Sequence, residues 1–525
     1  MRHNFLIFSV YVLMLTSCSK GQKAAHVENV IPDLLPEKKP LVYGTLENHL
    51  GINAFEWSFS ESNNSIISPG KMDVIRSFGG FRHYLDWEKI EPEEGRYTFS
   101  PTQFGGWDYD MIYAWCKKEG IEILSCLKTC PPWLLNSYPE GKRDAENVPA
   151  PYGLDRNLPA SYIQQARAGF QFAARYGKNS TVDLSLIKVD TRPRWPGDPG
   201  NKVKVGLGYV NYIECDNERD KDWKGPLAHQ NAEEYAANMS AFYDGDMGKL
   251  GPGVGVKSAD PNMKVVMGGL SVSKKEYVLQ MIAWCKKNRG YKPDGSVNLC
   301  FDVINYHHYN NNDAGTVGKA PELSSAAKVA DGYFALANES AGGMEVWLTE
   351  CGYDINPGSP QRAIAIGNKS ALITQADWSL RSVFSNVRHG LKRTFFYMLD
   401  DVDPNNGGRF ASSGFAVGVQ RRPVADYFYQ VRKLMGSFKY LENKGIDPIV
   451  DIYSENKRKI YVLYIPDEIG RTARYELDLG NATTATIYTL VPGADDMKLE
   501  KANTTNGKLT LNVSETPIFV ESNIN

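Results

Sequence analysis

Val210-Asn211-Tyr212-Ile213-Glu214-Cys215-Asp216-Asn217-Glu218 is a short apolar run that ends in charged and polar residues. That is the form of a strand buried on both faces whose last residues emerge at the rim of a parallel sheet. Met344-Glu345-Val346-Trp347-Leu348-Thr349-Glu350 has the same form. Eight such runs can be placed, at residues 51–57, 80–85, 121–127, 210–215, 264–269, 301–307, 345–348 and 393–398. Between them lie amphipathic stretches over residues 107–118, 160–176, 232–250, 274–288, 324–338 and 375–389. Strand-helix alternation from about residue 50 to 435 predicts an α/β chain, a (β/α)8 barrel with enlarged loops. The C-terminal ends of barrel strands converge on one rim, so Glu218 and Glu350, at the ends of the fourth and seventh strands, are expected to meet.

Two loops are long. Residues 178–204 hold Arg192-Pro193-Arg194-Trp195-Pro196-Gly197-Asp198-Pro199-Gly200, too rich in Pro and Gly for a helix. They precede the fourth strand, which puts them on the bottom face as a structural embellishment. Residues 400–413 follow the eighth strand and should cover the top. Beyond residue 435 the texture changes to period-two segments at residues 459–464, 484–489, 508–513 and 516–520. These predict a C-terminal all-β sandwich, with residues 41–47 a candidate extra strand for it. The domain reading is therefore residues 1–18 as a leader, 19–42 as a linker, 43–435 as the barrel and 436–525 as the sandwich.

The leader has Arg2 and His3, an apolar stretch from Phe5 to Leu15, and then Leu15-Thr16-Ser17-Cys18. This resembles a bacterial lipoprotein processing site, which makes Cys18 the lipidated first residue of an exported protein anchored to a periplasmic or cell-surface membrane face. Its only expected contact with a membrane is that anchor, because no other stretch reaches the 18 or so apolar residues of a span. The other seven of the eight cysteines mostly lie in or beside apolar runs, and read as buried thiols rather than a disulfide framework or a metal site. The 59 basic and 61 acidic residues leave a net charge of -2, and without a concentrated basic surface a nucleic-acid partner is not expected. Ten Trp and 29 Tyr suit both core packing and the stacking of sugar rings.

Several motifs resemble those of the clan A glycoside hydrolases, retaining enzymes on (β/α)8 barrels, and families 39 and 30 of that group carry a β-sandwich as well. Asn217-Glu218 and Glu350 resemble their acid/base and nucleophile. Phe81-Arg82-His83-Tyr84-Leu85-Asp86-Trp87-Glu88-Lys89-Ile90-Glu91-Pro92, continuing to Gly95 and Tyr97, is similar to their second-strand segment. Pro131-Pro132-Trp133-Leu134 resembles the turn after the third strand, His307-His308-Tyr309 the end of the sixth, and Arg422-Pro423-Val424-Ala425 the closing segment. Asp216 and Arg219 depart from the group, which often has Trp and Pro there, and both charges bear on the ionisation and placement of Glu218.

The resemblance implies a carbohydrate substrate, no cofactor and no metal, since two carboxylates suffice. Retaining hydrolysis needs a carboxylate beneath the anomeric carbon and a protonated acid about 5–5.5 Å away at the leaving oxygen. Glu350 would be the ionised nucleophile, and Glu218 would hold a proton before the first step. Arg82 would hydrogen-bond Glu350, Asn217 the sugar 2-hydroxyl, and Tyr309 would donate to Glu350. His307 would line the sugar site, Trp133 would stack on a ring, and Tyr397 and Asp400 would wall the donor subsite. Glu88, Glu91 and Glu214 read as structural or solvated. The rival function is a non-catalytic glycan-binding lipoprotein on a degenerate barrel, against which stand both carboxylates and Asn217.

Overall fold

A computed structural model describes residues 43–60 and 64–523, so Cys18 and the proposed leader and linker lie outside the described residues. Eight parallel strands close a barrel in chain order: β1 (Gly51–Ala54), β2 (Gly80–Asp86), β3 (Glu122–Lys128), β4 (Tyr212–Cys215), β5 (Lys264–Met267), β6 (Val303–His307), β7 (Glu345–Glu350) and β8 (Arg393–Phe396). These are the eight expected runs. The helix expected over 232–250 is shorter, Ala232–Asp244, because Gly245 takes a left-handed cap (φ 66°) where a Cβ would press on the Val254 carbonyl.

Alternate residues of each strand point into the lumen. Its lower layer is apolar: Leu124, Val266, Val303, Trp347 and Phe395 are buried against one another, with Tyr212 beside them. The outward residues, among them Phe81, Ile123, Ile213, Val265 and Ile304, join the large core that the surrounding helices cover. Above the apolar layer the lumen turns polar, and that boundary is where the site begins.

The excursion over 178–204 contains one short 3-10 turn, Leu184–Leu186, and is stitched to the chain that follows β2. Val189 bridges Tyr97 in parallel, and Asn201 Oδ1 accepts from the amides of Phe99 and Ser100. Two short strands, β9 (Ala416–Val417) and β10 (Gln420–Arg421), precede the last barrel helix, Pro423–Met435.

The C-terminal strands are β11 (Lys439–Ile446), β12 (Ile449–Glu455), β13 (Arg458–Tyr464), β14 (Ala473–Asp478), β15 (Thr484–Thr489), β16 (Lys498–Asn503), β17 (Lys508–Val513) and β18 (Ile518–Asn523). Six form one antiparallel sheet, in the order β11-β12-β13-β18-β15-β16, and β14 pairs with β17 as the second layer. In β13, Leu463 faces β14 and β17, whereas Ile460, Val462 and Tyr464 join the barrel core. Phe384 of the helix Ala371–Arg388 meets Tyr453, Tyr464 and Phe519, and Arg388 holds the buried Asp451. Residues 41–47 add no strand to this sheet within the described residues. Thr45 makes a single bridge to Lys439 and Leu46–His49 coils into a 3-10 turn, which buries Leu46 and His49 at the barrel base.

Candidate active site

The polar layer of the lumen is organised by Arg82, which is wholly buried. Its Nε and Nη2 donate to the two oxygens of Glu214 at 2.7 and 2.9 Å, a bidentate pair of the strong kind. Nη1 donates to Asn53 Oδ1 and to Glu350 Oε1, both at 2.9 Å, and Nη2 reaches Asn217 Oδ1 at 2.8 Å. Arg82 therefore divides its charge between two carboxylates instead of serving Glu350 alone. Glu214 is not solvated: it lies at 0% exposure, where it also accepts from the Gly269 amide and Asn305 Nδ2 at 3.0 Å. Glu91 is buried too and accepts from Trp87 Nε1 and the Gly95 amide. Burial pushes its carboxyl up to about 7.

Glu350 sits where β7 carries one residue more than β6 across from it, the register passing from Tyr306↔Leu348 to His307↔Glu350. Such a bulge re-aims side chains: Thr349 contacts His307 and Asn305, and Glu350 is brought to the lumen beside it. Glu350 Oε1 accepts from Arg82 and the Tyr84 hydroxyl, and Oε2 accepts from Tyr309 at 3.1 Å. Burial pushes this carboxyl up, but the charges of His307 and Arg82 and the bonds from Tyr84 and Arg82 outweigh it and hold it below the ordinary carboxylate range. Burial and the neighbouring Glu350 charge keep the Tyr309 phenol well above its usual value, so it remains a donor.

Glu218 stands on the turn after β4. Asp216 and Glu218 both have left-handed backbone, φ 68° and 51°, conformations that cost about 1–3 kcal/mol each away from glycine and persist where the surroundings over-determine them. The Glu218 amide donates to Gly269 O, and Oε1 lies 2.8 Å from His307 Nδ1. One carboxylate oxygen of Glu218, one of Glu350 and a ring nitrogen of His307 lie within 4.8 Å of one another. The side chain of Glu218 is 22% exposed and that of Glu350 8%, so the pair opens towards solvent on the Glu218 side.

His307 is fixed by a chain of bonds whose directions are set from one end. The Glu214 oxygens accept from Arg82, and Asn305 turns its Nδ2 to donate to the same carboxylate. Asn305 Oδ1 then takes the Thr349 hydroxyl proton, and Thr349 Oγ1, 3.1 Å from His307 Nε2, accepts from that nitrogen. The network thus assigns the ring proton to Nε2 and turns Nδ1 towards Glu218. Burial pushes the imidazole down, but Glu350 and Glu218 outweigh it and raise it above its ordinary value. Gly269 makes room for the ring: a Cβ there would lie 2.0 Å from His307 Nε2.

Of the residues singled out in the sequence, Glu218, Glu350, Asn217, Arg82, His307 and Tyr309 are brought into one bonded cluster. Tyr397 stands beside it, edge-on to Tyr84 at 6.3 Å and to Phe410 at 6.1 Å. Phe410, from the loop after β8, also tilts on Tyr309 at 4.8 Å, so residues 400–413 do reach over the top. Asp400 and Trp133 make their contacts elsewhere. Asp400 bridges Ala416 and is raised by burial, partly offset by Lys71. The Trp133 indole donates to Glu91 O at 2.9 Å and packs edge-on against Trp87, under the third loop. Asn53, Gly269, Asn305 and Thr349 belong to the cluster without carrying a mark in the motifs, and Tyr84 and Glu214 belong to it with no site role assigned from the sequence.

The comparisons with known proteins agree with the barrel fold. A family model for family 42 glycoside hydrolases, described as beta-galactosidase, matches residues 82–188. A family 39 glycoside hydrolase from the gut symbiont Bacteroides cellulosilyticus WH2 superposes with a TM-score of 0.58 at 16% identity, over 92% of this chain and 82% of that one. The fold is that of the clan A glycoside hydrolases. A family 30 endoxylanase from Clostridium papyrosolvens C71 shares this glycosidase barrel at a TM-score of 0.52 and 13% identity, over 92% and 98% of the two chains. A family 86 glycoside hydrolase in complex with neoagarooctaose gives 0.51 and 12%, over 91% and 75%. No curated protein matches the chain.

Proposed function

We propose that the protein is a retaining β-glycoside hydrolase that cleaves β-linked poly- or oligosaccharides by double displacement. The observation that carries this reading is the pairing of two carboxylates, an oxygen of each within 4.8 Å of the other, one buried and held ionised, the other part-exposed and bonded to His307. That spacing fits the shorter of the two separations used by glycosidases.

In the first step the leaving oxygen takes the proton from Glu218 while a Glu350 oxygen attacks the anomeric carbon and the glycosidic C–O bond breaks towards the leaving group. Glu218 and His307 Nδ1 share one proton across 2.8 Å, and Nε2 stays fixed on Thr349, so the proton is delivered from one defined direction. The Asn217 Oδ1 is taken by Arg82, which leaves its amide hydrogens for the sugar 2-hydroxyl, a bond that strengthens as the oxocarbenium-like state forms. In the second step Glu350 is esterified, Glu218 is ionised and takes a proton from water, and the water oxygen displaces Glu350 from the anomeric carbon. Tyr84, Tyr309 and Arg82 donate to the carboxylate that leaves.

The test is hydrolysis of a panel of aryl β-glycosides and β-linked polysaccharides, with the first-formed sugar followed by NMR. The β anomer is expected first. An α first product means an inverting enzyme, and glycan binding in affinity gels with no turnover across the panel gives the place to the binding-lipoprotein reading. We propose further that the chain is exported and anchored through Cys18, which the leader sequence supports. Cys18→Ser should release the protein from the membrane fraction, and membrane retention of that variant would rule the anchor out.

A further inference from the structure

Asp216 and Arg219, the two departures from the group's pattern, lie in the turn that presents Glu218. We propose that their buried ion pair is the positioning device for the general acid, in a role that Trp and Pro at those places cannot fill in the same way; this rests on the glycosidase reading. Arg219 Nη2 donates to Asp216 Oδ1 at 2.7 Å, and the two side chains are 1% and 2% exposed. The charges therefore cancel one another inside the protein instead of acting on Glu218 singly.

The pair also ties the turn down on two sides. Asp216 Oδ1 accepts from the Asn217 amide at 2.8 Å and Oδ2 from Gln165 Nε2 at 3.2 Å, which holds the turn to the helix Ile163–Tyr176. Arg219 Nη1 donates to the carbonyls of Glu146 and Asn147 at 3.1 Å, which holds the turn to the long loop after β3, and to that of Ala228 further along its own loop at 3.3 Å. Next to it, both Asp220 oxygens accept from the amides of Ser271 and Val272 at 3.0 Å. Glu218 is the residue between these anchors, and its φ of 51° is a conformation that an untethered glutamate leaves readily. Its carboxyl has His307 as its one hydrogen-bond partner among the described residues, so the aim of the acid depends on the backbone beneath it.

The consequence is selective. A loosened turn misplaces the acid while Glu350, held from β2, β6 and β7, keeps its place. Arg219→Met and Asp216→Asn should therefore lower the single-turnover rate of the first step on aryl glycosides with poor leaving groups by about 10- to 100-fold, part of the roughly 10²–10⁴-fold that a general acid contributes. Substrates with activated leaving groups, such as dinitrophenyl glycosides, need no acid in that step and should be slowed in it by no more than about threefold. Arg219→Lys, which keeps the charge, should recover part of the loss. Asp216→Asn retains the size of the side chain and an oxygen for the Asn217 amide while losing the charge and the bond from Gln165, and it carries the test if Arg219→Met fails to fold.

Equal losses on both substrate types would overturn the inference, because a merely structural role lowers both alike. So would no loss on either. If Glu218→Gln shows the leaving-group dependence and the turn variants do not, this inference fails alone. If the native protein turns over none of the substrates, the glycosidase reading fails and takes this one with it.

Discussion

Glu350 and Glu218 face one space from opposite sides of the barrel, and the protein holds them in opposite ways. Glu350 ends a strand, is 8% exposed, and accepts from Arg82, Tyr84 and Tyr309. Glu218 rides a left-handed turn, is 22% exposed, and among the described residues has one side-chain hydrogen-bond partner, His307. A nucleophile has to stay ionised and in place, which calls for several donors and little water. An acid/base has to exchange its proton with a leaving group and then with water, which calls for an open side and a partner that can hold a proton. The rigidity is thus in the side-chain bonds at β7 and in the backbone anchors at β4.

The largest effect that sharpens this contrast is expected from Glu350→Gln, which should reduce turnover to background on every substrate, whatever its leaving group. Glu218→Gln comes next: a loss of about 10²–10⁴-fold on poor leaving groups and little on activated ones in the first step, read from single-turnover rates. A loss independent of leaving group would erase the distinction between the two glutamates. Tyr309→Phe removes a hydrogen bond to a charged group, worth about 1.5–3 kcal/mol, and kcat should fall by about one to two powers of ten.

The smallest expected effect is on pH. Glu350 is active when ionised, and its pKa is held below the ordinary carboxylate range. Activity should therefore persist as pH falls through that range and disappear only as pH falls through the depressed value. Tyr84→Phe removes a bond that favours the ionised form, so its acid limb should move upward. An unmoved limb in the kcat/KM profile would mean that the Tyr84 bond does not favour the ionised carboxylate.

The eight strands are legible because each is an apolar run closed by polar residues, and Glu218 and Glu350 stand where two of those runs stop. The second layer of the site is less legible for a physical reason. Asn53, Glu214 and Asn305 occupy alternate positions inside apolar runs, and a polar residue pointing into a lumen has the same sequence appearance as one pointing to solvent. What distinguishes them is the coincidence of several such residues, one per strand, at about the same height above the apolar layer of Leu124, Val266, Val303, Trp347 and Phe395. That coincidence depends on strand register, which the sequence does not display. Thr349 is harder still, since the extra residue in β7 breaks the alternation just where the nucleophile is placed.

The central claim is the assignment of roles to the two glutamates, and azide rescue tests it most directly. Glu350→Gly and Glu218→Gly would each be given an activated aryl β-glycoside with sodium azide, and the anomeric configuration of the glycosyl azide read by NMR. The account predicts an α-glycosyl azide from Glu350→Gly, where azide enters from the face the nucleophile vacates, and a β-glycosyl azide from Glu218→Gly, where it intercepts the glycosyl-enzyme. The opposite pair of products, or a β product from Glu350→Gly, would contradict it.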